Sequence, residues 1–133
     1  MTRLRAILSD ADIDLIVLCF GLVSFLWGVA LLLEKNTFES NPASFAAMAR
    51  IAPEYVWGIG ILAFGLSAWT ALLAKKWQLL AWISLMDGLL WAFVATMFYV
   101  ANPNTTAPFA YVPMALFDFL VFLRLRRRVA PHG

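Results

Sequence analysis

The feature that most constrains this chain is a set of four long apolar blocks. Leu15 to Leu33 runs nineteen residues without a charge, and Tyr55 to Ala74 runs twenty. Trp77 to Ala101 runs twenty-five with a single acid, Asp87, and Ala107 to Leu123 runs seventeen with a single acid, Asp118. A bilayer core of about 30 Å needs roughly 20 helical residues to cross it. Lipid offers the backbone no hydrogen-bonding partner, so helices are the natural spanning form for such blocks. With 63% hydrophobic residues in 133, a soluble domain of this size has too little interior to hide them. The fold class expected is therefore all-α: a polytopic membrane protein forming a four-transmembrane-helix bundle in one domain, 1–133. The spans are placed at 13–33, 54–74, 77–100 and 108–124. Span four is the shortest, with Pro108 and Pro113 near its start.

Charge gives these spans a direction. Of the ten Lys and Arg residues, eight fall before span one (Arg3, Arg5), between spans two and three (Lys75, Lys76), or after span four (Arg124, Arg126, Arg127, Arg128). The other two connections hold only Lys35 and Arg50. The positive-inside rule then places both ends in the cytoplasm of an inner (plasma) membrane protein. The loops at 34–54 and 102–106 lie outside. The first block is too long for a cleaved leader and lacks a small-residue cleavage pattern after it, so it reads as a retained signal anchor. Asn104-Thr105-Thr106 matches a glycosylation sequon in an outside loop.

Within the first outside loop, Asn41-Pro42 reads as an N-cap with proline at the first helical position. Phe45, Met48, Ala49 and Ala52 follow on one face, so a short interfacial helix is expected at 42–51 on the outer surface, covering that end of the bundle. Lys75-Lys76 is so short a link that spans two and three form an antiparallel hairpin. The basic tail, 124–133, would lie on anionic lipid headgroups through Arg124, Arg126, Arg127 and Arg128. Asp10, Asp12 and Asp14, behind Ser9, would cap span one and complement its dipole.

Two intramembrane acids ask for an explanation. Asp87 lies eleven residues beyond Lys76, about 16 Å in and near the midplane. A carboxylate there costs roughly 2.5–3.5 kcal/mol, so Asp87 must be protonated, find a partner or face the interior. Ser84, Asp87, Gly88 and Trp91 share one helical face, where a hydroxyl, a carboxyl and an indole N–H converge. That face suits either a proton-accepting acid or a neutral carboxyl bonding helix to helix. Asp118, six residues before Arg124, sits roughly 9 Å from the boundary. An ion pair with Lys75, Lys76 or a tail arginine is expected there.

Small residues mark contact stripes: Ser24-x-x-x-Gly28, Ala63-x-x-x-Ser67, and Ser84-x-x-x-Gly88-x-x-x-Ala92. These suit close helix packing, within one bundle or between copies. Tyr55, Trp57, Trp77, Tyr99 and Tyr111 fall near membrane boundaries as an aromatic belt would. Trp27, Trp69, Trp82 and Trp91 lie deeper, as packing residues. Phe20-Gly21-Leu22 is echoed by Phe64-Gly65-Leu66.

Other chemistries lack their residues. The lone Cys19 reads as a small core residue and excludes thiol chemistry that needs cysteine pairs. The only histidine, His132, is in the tail, and no metal cluster, phosphate loop or nucleophile motif appears. Small multidrug transporters depend on a glutamate inside span one, and four-span glutathione enzymes on charged and amide residues in span two; neither is present. No enzyme activity, cofactor or metal is expected, and no nucleic-acid partner.

The joint Ala52-Pro53-Glu54-Tyr55-Val56-Trp57-Gly58, with Phe38 and Phe45 before it, resembles small multispan membrane proteins of tailed bacteriophages, including holin-like ones. The resemblance implies a self-associating protein with a charged cytoplasmic tail that permeabilises or remodels the membrane. Four spans and an outer helix differ from the commoner one to three spans. The small-residue stripes, the basic tail and the lack of catalytic groups make such a membrane-permeabilising protein the first reading expected. The alternative is a small ion- or proton-coupled transporter or a subunit of one, using Asp87. A membrane assembly or superinfection-exclusion partner is a third. Its surroundings are the lipid bilayer and either copies of itself or a membrane-protein partner.

Overall fold

A computed structural model describes residues 10–34 and 36–129. Arg3, Arg5, the Ser9 cap, Lys35 and the tail from 130 on, with His132, lie outside the described residues. Among the described residues the chain is helical throughout, with no strand. The helices are α1 (Asp10–Leu33), α2 (Thr37–Ser40), α3 (Pro42–Ile51), α4 (Glu54–Leu73), α5 (Trp77–Ala101) and α6 (Ala107–Val129). The four long ones are long and apolar enough to cross a membrane. The protein is a multi-pass helical membrane protein. Its burial pattern is that of a membrane bundle. Leu15, Leu26, Leu89 and Leu116 face outward, while Ser24, Ser84, Asp87 and Asp118 are inside.

Helices α1 and α4 pack antiparallel through glycine. Gly21 and Gly28 lie seven residues apart on one face of α1, and Gly58 and Gly65 do the same on α4. A methyl group on Gly28 would meet the Leu62 backbone nitrogen at 2.7 Å and the Gly58 carbonyl at 2.8 Å. One on Gly65 would meet the Gly21 carbonyl at 2.7 Å. These are backbone-to-backbone approaches of the kind small residues permit between membrane helices. Each glycine follows an aromatic residue: Phe20, Trp27, Trp57 and Phe64. Trp69 Nε1 adds a 3.2 Å hydrogen bond to the Leu18 carbonyl across the same interface. The two Phe-Gly-Leu echoes thus face each other.

The stripe expected at Ala63 and Ser67 is different: both are exposed on the outer side of α4. Cys19 is exposed too, on the outward face of α1 rather than in the core. Trp82, expected in packing, is 52% exposed.

Helices α5 and α6 form the second close pair. Gly88 lets α6 approach, because its missing Cβ would lie 3.2 Å from the Ala115 carbonyl and from Asp118 Cβ. At the end of this pair the Arg128 guanidinium lies 5.2 Å from the centre of the Trp77 ring. The run Arg124 to Arg128 is therefore the last part of α6, not a tail beyond a span ending at 124. Leu125, fully buried, holds it to the bundle. The α4–α5 turn closes with Lys75 at φ 53°. Lys76 N–H donates to the Ala71 carbonyl (2.9 Å) and Lys75 N–H to the Leu72 carbonyl (3.0 Å), a Schellman closure.

The opposite end is covered by α2 and α3. Met48 is fully buried there, and Phe45 stacks on Phe38 at 4.8 Å and meets Phe98 edge-on at 5.0 Å. Ala49, expected on the buried face, is exposed. Three hydrogen bonds to α4 side chains fasten this cover. The Glu54 carboxylate accepts from the first two backbone N–H groups of α2, at Thr37 (3.1 Å) and Phe38 (3.3 Å), and Trp57 Nε1 donates to the Met48 carbonyl at 3.1 Å. Asn41 precedes Pro42 as expected, yet its side chain makes no cap bond to α3. Its amide leans back to the Thr37 carbonyl instead. Asp14, expected among the caps of span one, sits a full turn inside α1 with Oδ1 buried and unpartnered.

Candidate functional site

Three helices bring polar side chains to one level inside the bundle. From α5, Ser84, Asp87 and Trp91 occur at the three- and four-residue spacing that keeps them on one face. All are buried, Asp87 being 4% exposed. From α1, Ser24, fully buried, turns its hydroxyl towards the Asp87 carboxyl, and the Trp91 indole N–H faces the same carboxyl. From α6 comes Asp118, 6% exposed, whose charged neighbour is Asp87.

The position of Asp118 corrects the expectation of a shallow residue paired with a lysine or arginine. Because α6 continues to Val129 and Arg128 sits on Trp77, ten residues separate Asp118 from Arg128 and ten separate Trp77 from Asp87. Both carboxyls thus lie about 15 Å from the basic end, beyond the reach of the exposed Lys75 and Lys76. Asp118 faces an acid, and its Oδ2 has no hydrogen-bond partner.

Ser24 Oγ, Asp87 Oδ1, Trp91 Nε1 and Asp118 Oδ2 are all buried and outside direct hydrogen-bond geometry. A buried polar group left unpaired costs about 1–3 kcal/mol, so these atoms need a partner placed among them. Apolar clusters close it on both sides. Towards the basic end lie Ile13, Val17, Leu80, Val121 and Leu125. Towards the covered end lie Leu31, Ile61, Val94, Phe98 and Met114.

Above the carboxyls an aromatic column leads to the cover. Trp91 stacks on Tyr111 at 5.3 Å and 14°, Trp27 meets both edge-on, and Tyr111 adjoins Phe98 at 5.3 Å. Tyr111 is thus part of the interior rather than of the boundary belt.

No family model, curated protein or solved structure matches this chain. The site therefore rests on its own chemistry. Among the described residues no group of three or more His, Cys, Asp or Glu is placed to hold a metal. The groove between α5 and α6, about 390 Å³ and lined by Ala92, Ala95, Thr96, Val112 and Phe119, opens outward and includes neither carboxyl. Gly28 and Gly88 pack helix to helix as their stripes suggest, and Ala92 reaches that outer groove. At the basic end Arg126 and Arg127 are exposed, and Arg124 and Arg128 half-buried.

Ser24 was legible only as a small packing residue. Its role as a polar neighbour of Asp87 depends on the α1–α5 approach, which no spacing within α1 records.

Proposed function

We propose that this chain is a non-enzymatic inner-membrane protein that moves protons, as a small proton-coupled transporter or a subunit of one. The carrying observation is the buried pair Asp87 and Asp118, level with each other and enclosed by apolar clusters on both sides. Two carboxylates cannot both be ionised there at acceptable energy, because each charge near the midplane costs several kcal/mol and like charges repel. Such a pair binds and releases a proton as its surroundings change. Lys75, Lys76 and Arg124 to Arg128 gather at one end of the bundle. This supports a cytoplasmic location for that end, and for both termini, with the arginines against lipid headgroups.

Proteoliposomes enclosing a pH dye test the reading under an imposed potential. The wild type should acidify the lumen, and Asp87→Asn, which keeps size and hydrogen bonding, should abolish this. Flux at the protein-free background in the wild type, or undiminished flux in the variant, refutes it.

Exposed Ala63 and Ser67 favour a second reading. They offer a small-residue stripe to another copy, as a self-associating holin-like protein would use. Inducible expression followed by a membrane-potential dye tests it, and an unchanged potential at high expression counts against it.

A further inference from the structure

The polar layer holds donors as well as acceptors. Trp91 Nε1–H can only donate, the Ser24 hydroxyl donates and accepts, and the facing oxygens Asp87 Oδ1 and Asp118 Oδ2 complete the set. All of these atoms are buried and lack a direct partner, and they come from α1, α5 and α6. A metal cation is bound by lone pairs alone, from oxygen in the case of hard cations. An indole N–H turned into the same site opposes it. A water molecule suits the set, because buried waters satisfy two to four polar partners at once. It accepts from Trp91 or Ser24 and donates to the carboxyl oxygens.

We propose that this layer binds a proton through a water shared by Asp87 and Asp118, and that the Trp91 N–H excludes sodium and other metal cations. The inference rests on the reading that the layer moves protons, and it adds the shared water and the indole that keeps metal cations out. One proton stays with the pair while a second binds and leaves, so the pair alternates between neutral and singly charged. The polar groups of the layer are Ser24 from α1, Ser84, Asp87 and Trp91 from α5, and Asp118 from α6. Helix α4 carries no charged residue after Glu54. Trp91 is a specificity-determining residue here.

A carbodiimide, which modifies protonated carboxyls in apolar surroundings, tests this with the full chain in detergent and peptide mass spectrometry. In the wild type, Asp87 or Asp118 should be modified, about tenfold more slowly per pH unit on the alkaline side. The rate should be the same in sodium and in choline chloride. Trp91→Phe keeps the ring and deletes the N–H, so sodium should slow its modification several-fold.

Sodium protection of the wild type overturns the proposal, as does absence of modification at every pH. Absence of sodium protection in Trp91→Phe overturns the role of the indole. Sodium protection combined with Asp87-dependent proton flux would sink the exclusion of metal cations and leave the transport reading standing. Proton-type modification with flux indifferent to Asp87 would do the reverse.

Discussion

Two glycines of α4 separate helix packing from helix propensity in one experiment. Gly65 faces α1, and a methyl group there would lie 2.7 Å from the Gly21 carbonyl and 3.0 Å from the Phe25 nitrogen. Both atoms are backbone and cannot rotate away. Restoring an ordinary separation of about 3.5 Å requires α1 and α4 to part by roughly 0.8 Å. Overpacking of this kind typically costs 1–3 kcal/mol. Gly60, five residues earlier on the same helix, has nothing within 4 Å of the same methyl. Gly60→Ala therefore registers only the gain in helix propensity, about 0.8–1 kcal/mol. That gain is common to both substitutions, so Gly65→Ala should be less stable than Gly60→Ala by about 1–3 kcal/mol. Unfolding of each variant in mixed micelles by SDS titration, followed by helical circular dichroism, measures the difference. The Gly65 methyl would also lie 3.4 Å from Ser24 Cβ, so Gly65→Ala should lower proton flux while Gly60→Ala should not. Equal midpoints for the two variants would refute the backbone-contact account of the α1–α4 interface.

Lys75→Gly removes a side chain from a left-handed position. It should stabilise the fold by about 1 kcal/mol in the same titration. Glu54→Gln weakens the charge-assisted bonds that hold α2, a loss on the order of 1 kcal/mol. Faster hydrogen exchange at the Thr37 and Phe38 amides would report it, and unchanged exchange would count against the tether. Trp69→Phe keeps the ring and loses the bond to the Leu18 carbonyl. It should cost about 0.5–1.5 kcal/mol within the membrane, read as a shifted unfolding midpoint.

The spans are legible because long blocks of seventeen to twenty-five residues with at most one charge mark membrane-crossing helices whatever their partners. The short helix α3 is equally plain, since Pro42 and the spacing of Phe45 and Met48 are local signals. The glycine interface is not, although Gly21, Gly28, Gly58 and Gly65 stand in full view. A stripe of small residues says that something comes close, not what. Ala63 and Ser67 carry the same signal and face outward. The depth of Asp118 is hidden because the first arginine, Arg124, looks like the membrane boundary. Arginine is a good helix former with a long apolar stem, so α6 runs on to Val129 and moves Asp118 inward. The four-residue α2 had no periodicity to show, and its support, Glu54, lies seventeen residues beyond Thr37.

The mutual facing of Asp87 and Asp118 also bears on how the chain enters the bilayer. During synthesis α5 emerges first, and alone it would present its carboxyl to lipid tails. Helix α6 is the least apolar of the four spans, with mean hydropathy 1.5 against 2.6 for the first, and alone it would do the same. Each shields the other, and the link between them is only residues 102–106. The two are therefore suited to leave the insertion machinery as one joined unit. A chain terminated after α5 should stall there or be degraded.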